Sequence, residues 1–221
     1  MSDRRPAEGV VLVHGVWMSG LAMVPLQRRL QGAGWHVRIL AYRSLRDAPA
    51  QGAQRLAREV ARTPCARVHV VGHSLGGLVV LHMLEAGAPA RLGRSVLLGT
   101  PVAGSGIARR LAGTPWTRGL LGRSVERGLL GDGPSRLRGH EVGVVAGDLP
   151  VGLGRVLGRL PRPHDGTVSV AETHLPGACA RTVLHLSHTG LLFSPLAAQA
   201  VSHYLRHGRF AATAGVRARQ S

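Results

Sequence analysis

The stretch Gly72-His73-Ser74-Leu75-Gly76-Gly77 has the spacing Gly-x-Ser-x-Gly, with an apolar run at 67–72 before it and a helical pattern at 75–85 after it. A strand that enters a helix through one tight turn brings backbone against backbone. Positions two before and two after the serine then have no room for a side chain, which accounts for Gly72 and Gly76. The turn lifts the Ser74 Oγ clear of the sheet and aims the first amides of the helix at the space above it. The positive helix end favours an oxyanion there. The chemistry this implies is nucleophilic attack on a carbonyl carbon.

A serine needs a base, and the base needs an orienting acid. In strand–turn–helix sites of this kind the acid and then the histidine follow the serine along the chain. His188 lies just past a predicted strand at 182–186 and before the last helix, at a strand end of the kind where open α/β sheets meet their ligands. His185 is read as part of that strand, pointing into packing. His203 and His207 belong to or follow the last helix, and His82 lies on the helix behind the nucleophile.

Three aspartates separate Ser74 from His188: Asp132, Asp148 and Asp165. Asp165 opens the turn Asp165-Gly166-Thr167-Val168 and is favoured as the acid. Asp148, after a predicted strand at 140–146, is the rival. Asp132, between two glycines, reads as a surface turn. A second oxyanion donor belongs to the loop after the first strand, His14-Gly15-Val16-Trp17, so the Val16 and Leu75 amides form the predicted pair. His14 is read as a brace for that loop. Trp17, Met18 and Trp116, with Leu120 and Leu121, are candidates to line an apolar acyl site. Packing of their segment against the sheet accounts for the same residues equally well.

These residues need a scaffold. Apolar runs at 10–13, 36–42, 67–72 and 95–98 read as strands, and β-rich stretches follow at 140–146 and 182–186. Helical patterns fill 19–31, 50–62, 75–85 and 195–204, with Pro25 confining the first to its later residues. Strands alternating with helices imply an α/β fold with a mostly parallel central sheet and helices on both faces. A single domain over 1–210 is expected. Residues 104–138, rich in Gly and Arg, form a small insertion and a candidate lid, and 211–221 is a loose basic tail.

The chain has 221 residues, 44% of them hydrophobic and only 3% aromatic, so a globular core must rest on Leu, Val and Ala. No apolar run reaches the roughly 18 residues of a spanning helix. The run at 10–13 stops at His14-Gly15 and reads as a strand, not as the heart of a secretory leader, so a cytoplasmic location is expected. Cys65 and Cys179 lack metal-ligand spacing and are read as buried or partly buried thiols in a reducing compartment. The net charge of +17 comes entirely from arginine, without one lysine. The arginines are scattered and no nucleic-acid motif accompanies them, so no specific nucleic-acid partner is expected. The charge does imply a weak attraction to polyanions and anionic membrane surfaces.

Four stretches in order resemble the α/β-hydrolase superfamily, particularly bacterial lipases and carboxylesterases. They are Val11-Leu12-Val13-His14-Gly15; Gly72-His73-Ser74-Leu75-Gly76-Gly77; Leu98-Gly99-Thr100-Pro101 through Gly104-Ser105; and Asp165-Gly166-Thr167-Val168 with His188-Thr189-Gly190-Leu191. The resemblance implies Ser74 as nucleophile, His188 as base, Asp165 as acid, and Val16 and Leu75 as oxyanion donors. It implies hydrolysis of a small-molecule or lipid ester, with no metal and no organic cofactor. Ala103 stands where lipases often carry a histidine, and His164 where an asparagine commonly precedes the acid. An acyltransferase or thioesterase would use the same three residues. The charge also suits a non-catalytic polyanion- or membrane-binding protein on this fold.

Overall fold

The apolar runs form the middle of one sheet. In the computed structural model, which describes residues 7–152 and 160–211, the strands are β1 (Glu8–Val13), β2 (His36–Ile39), β3 (Arg67–His73), β4 (Leu92–Leu98), β5 (Val142–Gly147) and β6 (Ala180–Leu184). All pair in parallel, in the order β2-β1-β3-β4-β5-β6. The sheet is therefore wholly parallel where a mostly parallel one was expected.

Side chains alternate across a strand, so a sheet buried on both faces needs apolar residues at every position. Val11 and Val13 of β1 point into one core with α2 (Pro49–Arg62) and α3 (Leu75–Ala86). Val10 and Leu12 point into the other, with α1 (Val24–Gly32) and the last helix. Of α3, every residue from Leu75 to Leu84 is buried.

Between β4 and β5 lie α4 (Gly106–Ala112), the single turn α5 (Pro115–Arg118) and a 3-10 stretch, Gly119–Val125. Ser105 caps α4, its Oγ accepting the Ala108 amide at 3.2 Å. After β6 come the turn α6 (Gly190–Phe193) and α7 (Pro195–His207). Ser194 caps α7 by accepting from Leu196 at 3.1 Å, and Gly208 ends it with a left-handed φ of 70°. The expected tail lies outside the described residues from 212 onward.

Three strand boundaries differ from the sequence reading. β2 stops at Ile39 because Tyr42 turns away to donate its hydroxyl to the His14 carbonyl at 2.6 Å. β4 starts at Leu92, before the apolar run, since its first residues pair at the polar end of the sheet. β6 runs over Ala180–Leu184 and then bends, with the Leu186 amide donating to the Leu184 carbonyl at 2.7 Å. His185 accordingly lies past the strand, exposed, instead of pointing into packing. Cys65 is buried as expected, but Cys179 is exposed.

The strand order reverses between β1 and β3: from β1 the chain moves outward to β2, and from β3 it moves the other way to β4. Flanking helices then leave on opposite faces, opening a crevice at the C-terminal ends of these two strands. Gly15 and Ser74 follow those two ends.

Candidate active site

Ser74 is the single residue between β3 and α3, and its φ of 54° lies in a region that costs an ordinary side chain about 1–3 kcal/mol. The glycines around it make the turn physically feasible. A Cβ on Gly72 would stand 2.6 Å from the carbonyl of Gly76 and the Cα of Gly77. One on Gly76 would drive into the Val13 carbonyl, and one on Gly77 into Thr100. The spacing argument anticipated the first two; Gly77 adds a third close contact, between α3 and the end of β4.

The loop after β1 lies directly against this turn. A Cβ on Gly15 would be 3.1 Å from the Ser74 Cβ. His14 braces that loop: its Nδ1 donates to the Gly15 carbonyl at 2.9 Å, while its own carbonyl accepts from Tyr42. Burial pushes the His14 proton affinity down and the Tyr42 pKa up, so both stay neutral. Leu75 opens α3, where amides have no acceptor within the helix. Val16 is partly buried, one residue past Gly15.

His188 and Asp165, 23 residues apart in sequence, meet. The His188 Nδ1 donates to the Asp165 Oδ2 at 2.7 Å, and both residues are buried. The other carboxylate oxygen, Oδ1, accepts the Thr167 amide at 2.9 Å and the Val168 amide at 2.7 Å. The His188 amide in turn donates to the Asp165 carbonyl at 2.8 Å. Because Nδ1 carries the proton, Nε2 is left as the bare, basic nitrogen. Asp148 instead pairs with exposed His185 at 2.8 Å, and Asp132 accepts from Gly128 in a surface turn.

Two residues beside the pair escaped the sequence reading. Gly99, φ 54°, ends β4 under the imidazole. A Cβ there would stand 3.0 Å from the His188 Nδ1 and 3.1 Å from the Asp165 Oδ2. His73, fully buried, donates from Nε2 to the His188 carbonyl at 3.1 Å, their rings 4.6 Å apart. Burial, and then the nearby His188, hold its proton affinity well below the ordinary value. A third residue, Glu172, ties the acid loop to the segment after β4. It accepts from Ser169 at 2.7 Å and from Gly106, at the start of α4, at 2.6 Å. The Glu172 amide donates to the Ser169 Oγ at 3.2 Å, closing a reciprocal Ser-x-x-Glu box. That spacing was the available signal.

The apolar candidates separate. Trp17, at φ 57° and 45% exposed, donates its indole N–H to the Leu120 carbonyl at 2.7 Å. Met18 packs on the core facing α1 and α7, Leu121 is buried, and Trp116 is 91% exposed. Among the described residues, the large apolar side chains left exposed are Trp17, Leu21, Leu45, Trp116, Leu120, Val151 and Phe193. Each of them lies in a segment that follows the C-terminal end of a strand, the edge that carries Ser74.

No protein-family profile matches the chain, and no curated protein sequence matches it. Solved structures do. The lipase BlEst2 of Bacillus licheniformis is 20% identical, covering 94% of each chain at a TM-score of 0.70. The metagenomic carboxyl esterase MGS0156 is 17% identical over 92% of this chain and 76% of its own, at 0.63. The pyrethroid hydrolase PytH is 13% identical over 91% of this chain and 98% of its own, at 0.66. Agreement over more than nine-tenths of the chain extends to the whole sheet and its crossovers. The protein therefore has the α/β-hydrolase fold, in agreement with the motifs of its sequence.

Proposed function

We propose that the protein is a serine hydrolase of carboxylic esters. The observation that carries the reading is the buried His188–Asp165 pair with its bare Nε2, at the same sheet edge as a serine held at positive φ. The Nε2 takes the proton of the Ser74 Oγ as the oxygen attacks the ester carbonyl carbon. Asp165 stabilises the imidazolium that results. The Val16 and Leu75 amides receive the oxyanion, each worth roughly 3–4 kcal/mol by comparison with a known oxyanion donor. The imidazolium then protonates the departing alkoxide, leaving an ester on Ser74. A water, deprotonated in turn by His188, releases the acid and restores the serine.

The substrate side is apolar. Trp17 and Leu120, joined through the indole and half-exposed beside the Gly15 loop, suit an acyl or aryl group. The segment between β4 and β5 serves as the cover of this edge. The likeness to lipases and esterases supports the same reaction class.

Purified protein is expected to hydrolyse short p-nitrophenyl esters, with Ser74→Ala lowering kcat by about 10³-fold or more. A fluorophosphonate is expected to label Ser74. Equal turnover by wild type and Ser74→Ala, or labelling at another serine, defeats the assignment.

A further inference from the structure

We propose that His73 is a positioning residue: it ties the His188 loop to the nucleophile strand and so sets the reach of the base toward Ser74. The proposal rests on the hydrolase reading above. His73 is the last residue of β3 and adjoins Ser74, so its ring moves with the elbow. A carbonyl oxygen can only accept, so the 3.1 Å contact with the His188 carbonyl places the His73 proton on Nε2. Its Nδ1 is then bare, and among the described residues it has no hydrogen-bond partner.

The His188 backbone is thereby held on both sides, its N–H by the Asp165 carbonyl and its C=O by His73. Its ring is held by the Asp165 carboxylate. The Asp165 contacts fix the base only to its own acid loop. Among the hydrogen bonds of the described residues, the His73 contact is the one that joins His188 to the β3–α3 turn. A nucleophile and its base must keep their geometry within about 0.5 Å, and a misplacement of ~1 Å can cost about 100-fold in rate. Burial keeps His73 neutral, so it stays a donor and does not compete for the proton that His188 carries.

The test separates donor from bulk. His73→Phe keeps a buried ring and removes the N–H. His73→Asn keeps an amide too short to reach the carbonyl. His73→Gln returns an N–H near the Nε2 position. On a short p-nitrophenyl ester, the Phe and Asn variants are expected to lose about 10- to 100-fold in kcat with little change in KM. The Gln variant is expected to recover most of that loss. In proton NMR, the low-field His188 Nδ1–H signal should move or broaden with Phe and Asn, and hold with Gln. Wild-type kcat in the Phe and Asn variants overturns the proposal. So does an equal loss in Gln and Phe at matched urea midpoints, which would make the role mere packing. Failure of the hydrolase reading looks different: wild type itself would leave Ser74 unlabelled by fluorophosphonate. The NMR signal then decides by itself whether His73 holds the ring.

Discussion

Asp165 and Asp148 are both aspartates near a strand end, and each pairs with a histidine at short distance. Their surroundings differ. Asp165 is fully buried, and its carboxylate accepts two backbone amides besides the imidazole. Such a carboxylate can hold one tautomer and orientation of its histidine. Asp148 faces a largely exposed imidazole, and exposed pairs are worth at most about 1 kcal/mol. Asp165→Asn should therefore lower kcat by about 10³- to 10⁴-fold, as loss of the orienting acid does in a known triad. Asp148→Asn should change kcat by about 5-fold or less, the rate equivalent of that weak pair. Ester hydrolysis by the two purified variants checks the ranking, and the reverse order moves the acid to Asp148.

Helix α3 shows what an element must give up to place a nucleophile. Glycine is a poor helix former, yet Gly76 and Gly77 occupy its first turn because α3 starts against the ends of β1 and β4. Gly77→Ala should destabilise the fold by about 1–3 kcal/mol, since the new methyl overlaps buried Thr100. Gly32, the last residue of α1, meets nothing within 4 Å of a built Cβ. Gly32→Ala should leave stability unchanged or raise it by about 0.4–1 kcal/mol, by restricting the unfolded chain. Urea midpoints measure both, and equal effects would mean that the packing at Thr100 relaxes freely. The element pattern itself was readable: each apolar run became a strand and each periodic stretch a helix. The ends were less so, because β2, β4 and β6 begin or stop where a side chain or a bend outside the strand intervenes, as Tyr42 does for β2.

Across the whole molecule, a charge of +17 sits on a fold whose buried polar groups are mostly neutral histidines. Among the described residues, no helix is long and apolar enough to cross a membrane. A groove between α1 and α7, of about 480 Å³ and lined in part by Arg29, His203 and Arg206, contains none of the candidate site residues. Burial lowers the proton affinity of His14, His69, His73 and His82 in the folded state. The unfolded chain protonates these rings near the ordinary pKa of about 6.5, so below that pH it binds more protons than the native state. Their contribution is complete above about pH 6.5 and is lost as the pH falls. Each ring that stays neutral adds a slope approaching about 1.4 kcal/mol per pH unit. Urea midpoints should fall steadily from pH 7.5 to 5 with an unchanged m-value. A flat profile over that range would show that these rings take up protons as freely in the fold as outside it.

The order of elements, the serine turn and the candidate acid and base could all be named from residue types and spacing, because glycines at fixed offsets and buried apolar runs are local demands of the backbone. Which histidine meets which aspartate was settled only by the folded chain, since that contact depends on where β5 and β6 end relative to β3. The same holds for the positions of His73, Gly99 and Glu172: close approach between distant segments decides them, and one segment's composition carries little record of its neighbour. The apolar candidates show the limit most directly. Leucines at 120 and 121 are equivalent as letters, yet one faces solvent and the other the core, because only the packed chain assigns a direction to each side chain.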